Sequence, residues 1–373
     1  MPIRNRQMDA CPGVLAVHRA ADGGVARIRV PGGQLSAEAF RVVARGAAEL
    51  GDGSVELTSR ANLQVRGLDD GAETELAARL SAAGLLPSAT HDKVRNIMAS
   101  PLTGRDTAGL ADVRPLVSEL DAALRENAGL AGLPGRFLFA LDDGRGDVAW
   151  LGADVAALAT TPGTAAILLG GTDSGLRVPI GDVILLMLAC AEAFLTERAD
   201  EWRLAELADR ARRRVAARLG ASVAEPVAPQ PVPATPFGPA AQADGRTALV
   251  AGAPLGWLNR AQAAALADTG APLVVTPWRA VVVADLADAA PATEGLRSAG
   301  LLLDPGAPRV TACVGRPGCA KALADVLADA RPVAGVEVPV HWSGCGRRCG
   351  RPRGEVLDVV ANGDGYVMTR GDR

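Results

Sequence analysis

The chain has 373 residues, well beyond the ~100–200 usual for one domain, so two or more folded units and a sizeable core are expected. Its 39 Lys and Arg nearly balance 42 Asp and Glu, leaving a net charge of -3 and none of the basic excess of a nucleic-acid binder. The longest apolar run, residues 183–190, is too short to span a bilayer, and MPIRNRQMDACPG holds no apolar signal region, so a cytoplasmic protein without a membrane partner is expected.

In chain order, the first element is a helix starting near Ser36, with Phe40, Val43, Ala47 and Leu50 at helical spacing. A strand then runs through Val55 and Leu57 to Val65. Within it Arg60, Asn62 and Gln64 alternate with Ala61, Leu63 and Val65, so the period of two places three polar side chains on one face. That pattern suits a lined cavity, or a strand side turned to solvent. Next come VRNIMASPLTG, a helix near Asp112 to Arg125, the strand-like GRFLFALDDG and AAILLGG, and an amphipathic helix from Asp182 to about Ala217. Asp142, Asp143 and Asp147 read as a turn, with metal-ligating oxygens as the alternative.

Residues 221–246 are rich in Pro and Ala without apolar period and read as an extended linker. Beyond it the opening plan recurs: Asn259 as N-cap, a helix to Asp268, a stop at Gly270 and two strand-like runs. LTSRANLQVRGL (57–68) and VTPWRAVVVADL (275–286) share apolar ends and a Thr in second place. The expected architecture is α+β, with paired modules about a pseudo-twofold axis.

Four of the six cysteines fall in residues 313–349, as Cys313-x5-Cys319 and Cys345-x3-Cys349, separated by the helix-length CAKALADVLADA and the strand-like VEVPVHW. In a reducing compartment clustered cysteines are more often metal ligands than disulfides. Structural zinc favours two short knuckles and fits the x5 spacing poorly. An iron–sulfur cluster suits wide loops whose glycines, here 315, 318, 344, 346 and 350, let backbone N–H groups approach sulfur. Cys11 and Cys190 lie outside the pattern and read as small buried or incidental thiols.

These two pairs, followed by Arg351 and Pro352, resemble the [4Fe-4S] signature of the sulfite and nitrite reductase family. LTSRANLQVRG resembles that family's Thr-x-Arg-x-Asn-x-Gln strand, and VRNIMASP its Arg-Asn segment beside the tetrapyrrole. The resemblance implies two ferredoxin-like half-domains and two α/β modules: 8–83 and 84–220, the linker 221–246, then 247–305 and 306–373 with the cluster on Cys313, Cys319, Cys345 and Cys349. Within the family, ACVGRPGCA, HWSGCGRRCGRP and the opening CPGVLAVHRAADGGVARIRVPGG look most like the branch that acts on precorrin-3A in oxygen-dependent cobalamin biosynthesis. That likeness implies precorrin-3A and O2 as substrates, hydroxylation with γ-lactone closure, and a separate mononuclear non-haem iron beside the [4Fe-4S] cluster. Sirohaem belongs to the alternative, a sulfite or nitrite reductase. A third possibility is a non-catalytic iron–sulfur protein that transfers electrons or binds tetrapyrroles.

One departure separates the readings. The reductases' Lys-x-Lys pair is here Arg136 and Leu138, and leucine delivers neither charge nor proton. Precorrins carry many carboxylate arms, which arginine grips bidentately. The expected substrate contacts are Arg60, Asn62, Gln64, Arg95, Arg136 and Arg279, with Arg66 nearby and Arg316, Arg347, Arg348 and Arg351 around the cluster loops. Among the histidines, His91 and His341 lie near motif segments and His18 does not, yet no facial triad for iron is legible. A Gly-x-Gly-x-x-Gly fingerprint is absent, so an external ferredoxin or reductase is expected as electron donor. An internally duplicated chain completes its own pseudo-dimer, and a monomer is expected.

Overall fold

The computed structural model describes residues 11–207, 214, 222–228, 230, 232 and 234–372. The chain divides into two units, one of Met1–Pro12, Arg29–Gly33 and Ser88–Ala234, the other of Gly13–Ile28, Gln34–Pro87 and Thr235–Arg373. Among the described residues no helix is long and apolar enough to cross a membrane.

In chain order the first elements are β1 (His18–Ala20), β2 (Gly23–Ile28), β3 (Gln34–Leu35), α1 (Ala37–Leu50), β4 (Val55–Leu57), β5 (Leu63–Leu68) and α2 (Ala72–Ala82). Helix α1 starts where the sequence predicts, because the Ser36 hydroxyl accepts the Ala39 N–H, and its Phe40, Val43 and Ala47 are buried. The predicted single strand through residue 65 is instead two. Residues 58–62 make a tight turn with Ala61 at φ 56°, and the Thr58 hydroxyl accepts the Asn62 N–H across it. Arg60 and Asn62 therefore do not share a strand face with Gln64.

The other unit contributes β6 (Ile97–Ala99), α3 (Arg114–Glu126), β7 (Phe139–Asp142), β8 (Val155–Thr161), β9 (Thr164–Leu169), β10 (Thr172–Pro179), α4 (Val183–Glu197) and β11 (Ser222–Val223). Its six-stranded sheet runs β11-β10-β9-β8-β7-β6, parallel over β6, β7 and β8 and antiparallel beyond. Helices α3 and α4 share a core with that sheet, where Phe137 lies 5.2 Å from Phe139 and 4.9 Å from Phe194. Cys190 is buried in this core, and burial pushes its thiol up to about 12, so it is an inert apolar side chain. Helix α4 ends at Glu197, well before Ala217, because Arg198 turns to extended backbone. Ala217 itself lies outside the described residues.

The plan then repeats as β12 (Gly238–Ala241), β13 (Thr247–Gly252), β14 (Trp257–Leu258), α5 (Arg260–Asp268), β15 (Leu273–Val275), β16 (Ala280–Leu286) and α6 (Ala290–Ser298). Strand β12 lies inside the stretch read as a linker: its Pro and Ala content hides an outer strand, anchored by buried Phe237 under the Arg309 guanidinium at 4.3 Å. The two sheets, β1-β2-β5-β4-β14 and β12-β13-β16-β15-β3, exchange one short strand each, and α1 packs on α5.

The repeat extends to backbone angles that cost an L-residue ~1–2 kcal/mol. Positive φ recurs at Gly32 (61°) and Leu255 (58°), at Ala61 (56°) and Arg279 (56°), and at Gly67 (68°) and Asp285 (62°). The last pair sits at the same register shift of β2 on β5 and of β13 on β16. The C-terminal elements are β17 (Val310–Ala312), α7 (Val326–Asp329), β18 (Val340–Ser343), β19 (Glu355–Ala361) and β20 (Tyr366–Asp372). Their sheet, β17-β18-β19-β20, is parallel over three strands and antiparallel at the last, the same pattern as β6-β7-β8-β9. The helix-length segment after Cys319 is mostly turns, and only α7 is helical.

Candidate metal centre

Each cysteine pair lies on a loop that leaves the C-terminal end of a parallel strand. Cys313 follows β17 directly: its N–H donates to the Trp342 carbonyl (3.0 Å) and its Sγ accepts the Gly344 N–H (3.2 Å). Those bonds tie the first loop to the second. Gly344 tolerates no side chain, since a Cβ there would lie 2.7 Å from that of Ala322. Cys319 closes the first loop by donating to the Gly315 carbonyl (2.8 Å).

The second loop is clamped from several sides. The Cys349 carbonyl takes a hydrogen bond from His341 Nε2 (3.1 Å), and the Gly350 carbonyl takes one from Arg279 Nη2 (2.5 Å). With Nε2 donating, His341 Nδ1 accepts the Thr311 hydroxyl (2.8 Å). Burial, then the nearby Arg279 charge, depresses His341 to about 3, so its ring is neutral. Arg351 grips Asp358 through Nε (3.1 and 2.9 Å) and caps the Gly371 carbonyl (2.6 Å).

All four thiols are unpaired, and Cys349 is exposed. Burial pushes Cys313 and Cys349 up, and both are raised further by the charges of the other cysteines of the set. Gly344 and Gly315 N–H groups oppose this at Cys313. Four thiols close enough to feel one another must release protons to something positive if they are to become thiolates together. Among the described residues no three His, Cys, Asp or Glu side chains gather about the point a single metal ion would take. The donor set therefore fits a group of several irons, each reached by its own thiolate, with N–H donors to sulfur, better than zinc. A mononuclear iron on two His and a carboxylate does not fit the described residues. His18 is exposed on β1, and His91 bonds Ser88, Thr90 and the Asn127 carbonyl.

The residues expected to hold substrate are placed as follows. In one unit, Arg60 is half-buried at the 58–62 turn, Asn62 is buried there, and Gln64 sits on β5 between Arg27, whose Nε donates to it (2.8 Å), and Glu56. Arg66 pairs bidentately with Asp22 (3.0 and 2.9 Å) and reaches the Gly318 carbonyl (3.2 Å), bracing the first cysteine loop. Arg279 is 3% exposed and bridges the Leu57 and Gly350 carbonyls, while its Nη1 has no partner. Burial holds its guanidinium below the usual range. In the other unit, Arg95 is buried against Asp121 (2.6 Å), and the half-buried Arg136 lies 5.8 Å over the Trp202 ring. Leu138 is buried in a small core of Ala and Leu side chains. Asp142 does form the predicted turn, its carboxylate accepting N–H groups from Gly144, Gly146, Val148 and Ala149.

Sequence reasoning did not single out Asp22, Glu56, Thr311 or Ser343, and it gave His341 only a structural role. Aligning the two repeats carries a signal for Arg279, which stands where Ala61 stands in the first.

Comparison with known proteins places this geometry. Residues 18–83 match the nitrite/sulfite reductase ferredoxin-like half domain. The chain is 28% identical to a precorrin-3B synthase from a Sinorhizobium species over 98% of its own length and 83% of that protein. It is 37% identical to a ferredoxin–nitrite reductase of Synechococcus elongatus, over 37% of this chain and 28% of the relative. The Mycobacterium tuberculosis NirA protein shares the fold, with a TM-score of 0.75 at 22% identity, over 93% of this chain and 73% of that one.

Proposed function

We propose that this chain, with its nitrite/sulfite reductase-like fold, acts as a precorrin-3B synthase: an oxidoreductase that hydroxylates precorrin-3A with O2 and closes a γ-lactone. The observation that carries the reading is the likeness to precorrin-3B synthase over 98% of the chain, joined to a four-thiol module built as described. Cys313, Cys319, Cys345 and Cys349 would hold a [4Fe-4S] cluster, which supplies single electrons when bound.

The protein's own residues do the rest. His341 and Arg279 fix the carbonyls of Cys349 and Gly350, and so hold the exposed cysteine in one orientation. Arg95 and Arg279 already have partners, so the proposal assigns contact with carboxylate arms to Arg60 and Arg136, with Asn62 and Gln64 as supporting groups. Leu138 offers no proton where the reductases present their second lysine, which weighs against six-electron reduction of a small oxyanion. Electrons would come from an external ferredoxin or reductase.

Incubating cluster-replete protein with precorrin-3A, O2 and reductant tests the reading by mass spectrometry. A hydroxylated, lactone-bearing product is expected. Unchanged precorrin-3A, together with turnover of nitrite or sulfite, would overturn it in favour of the reductase.

A further inference from the structure

The cysteine module has a twin in the other unit. Strand by strand, β6 and β7 match β17 and β18, so Ser100 stands at the place of Cys313, Asp143 at Gly344 and Asp142 at Ser343. The bonds match as well. Ser100 N donates to Leu141 O (3.1 Å) as Cys313 N does to Trp342 O (3.0 Å), and Asp143 N donates to Ser100 Oγ (3.2 Å) as Gly344 N does to Cys313 Sγ (3.2 Å).

The twins differ at one point. In the first, Asp142 gathers the following loop by accepting four of its backbone N–H groups. In the second, Ser343 is fully buried and its hydroxyl meets no partner. By alternation along β18 it shares a face with His341, which binds the Cys349 carbonyl. The residue after it donates to Cys313 Sγ. Its hydroxyl thus stands between the two cysteine loops. A buried hydroxyl left unpaired costs ~1–3 kcal/mol, and the place where Asp142 supplies a carboxylate here has only room and sulfur ligands.

We propose that the Ser343 hydroxyl donates a hydrogen bond to a sulfur atom of the cluster held by Cys313, Cys319, Cys345 and Cys349, and that this bond sets the cluster's reduction potential. This rests on the cluster assignment made above. Ser343 is a positioning and tuning residue: a donor to sulfur favours the reduced, more negative cluster and raises its potential.

The test is a redox titration of the full-length protein, followed by electron paramagnetic resonance of the reduced cluster, on wild type, Ser343→Ala and Ser343→Thr. Ser343→Ala should keep its iron and sulfide yet reduce at a more negative potential, while Ser343→Thr, which retains the hydroxyl, stays near wild type. An unmoved potential in iron-replete Ser343→Ala overturns the proposal alone. So does loss of the cluster from folded Ser343→Ala, because the hydroxyl would then be needed for assembly, not tuning. A wild-type protein that takes up no iron or sulfide overturns the cluster assignment and the proposal together.

Discussion

Arg279 shows how one side chain can bind two repeats into one site. Its strained backbone and buried fork place N–H groups on the Leu57 carbonyl of the first sheet and on the Gly350 carbonyl of the cysteine loop. Arg279→Met leaves both carbonyls unpaired in the interior and should cost about 3 kcal/mol, read as a lowered midpoint in thermal unfolding. The cysteines make a sharper set. Ala at Cys313, Cys319, Cys345 or Cys349 should each abolish iron and sulfide binding, whereas Cys190→Ala should leave both contents unchanged; a full cluster in any of the four removes that residue from the ligand set. Asp147 gives a pH dependence. Burial, then the neighbouring Asp142, lifts its carboxyl to about 7, against the pull of the Ser100 hydroxyl and Arg145. The folded state therefore holds this proton more tightly than the unfolded chain. The associated stability is fully present below the ordinary carboxylate range and is lost as pH rises through about 7. Between about pH 5 and about pH 8 the melting temperature should fall less in Asp147→Asn than in wild type; equal slopes would contradict the assignment.

At the scale of elements, the repeat is enforced by backbone geometry more than by side chains. Gly67 holds φ 68° and a Cβ there would lie 3.0 Å from Asp52, so Gly67→Ala should destabilise by about 2 kcal/mol in chemical denaturation. Its counterpart Asp285 survives at φ 62° because Asp tolerates the left-handed region and accepts a bond from Gln242 Nε2. Helices with a side-chain cap and a clean apolar stripe, α1 and α5, were legible in the sequence for that reason. The turn at 58–62 was not, because the alternation of Arg60, Asn62 and Gln64 mimics a strand, while Ala61 takes a positive φ that nothing in its residue type announces. The predicted extension of α4 past Glu197 failed on a similar point: Arg198 leaves the helix without a Gly or Pro to mark the stop.

For the molecule as a whole, the doubled plan explains why so much of the candidate site could be read from four cysteines and a few glycines. Ligand spacing is local, and it survives without knowledge of the fold. The arginines could not be read so surely, since whether a guanidinium meets a substrate or a neighbouring carbonyl depends on contacts more than two hundred residues apart, as with Arg279 and Leu57. Nor could the sequence show that one module closes its loop on Asp142 while its twin leaves the same place to sulfur. The most direct measurement is elemental and spectroscopic analysis of anaerobically purified protein. The account predicts roughly four iron and four sulfide per chain, a broad brown absorption and no sirohaem bands. Protein free of iron, or carrying stoichiometric sirohaem, would contradict it.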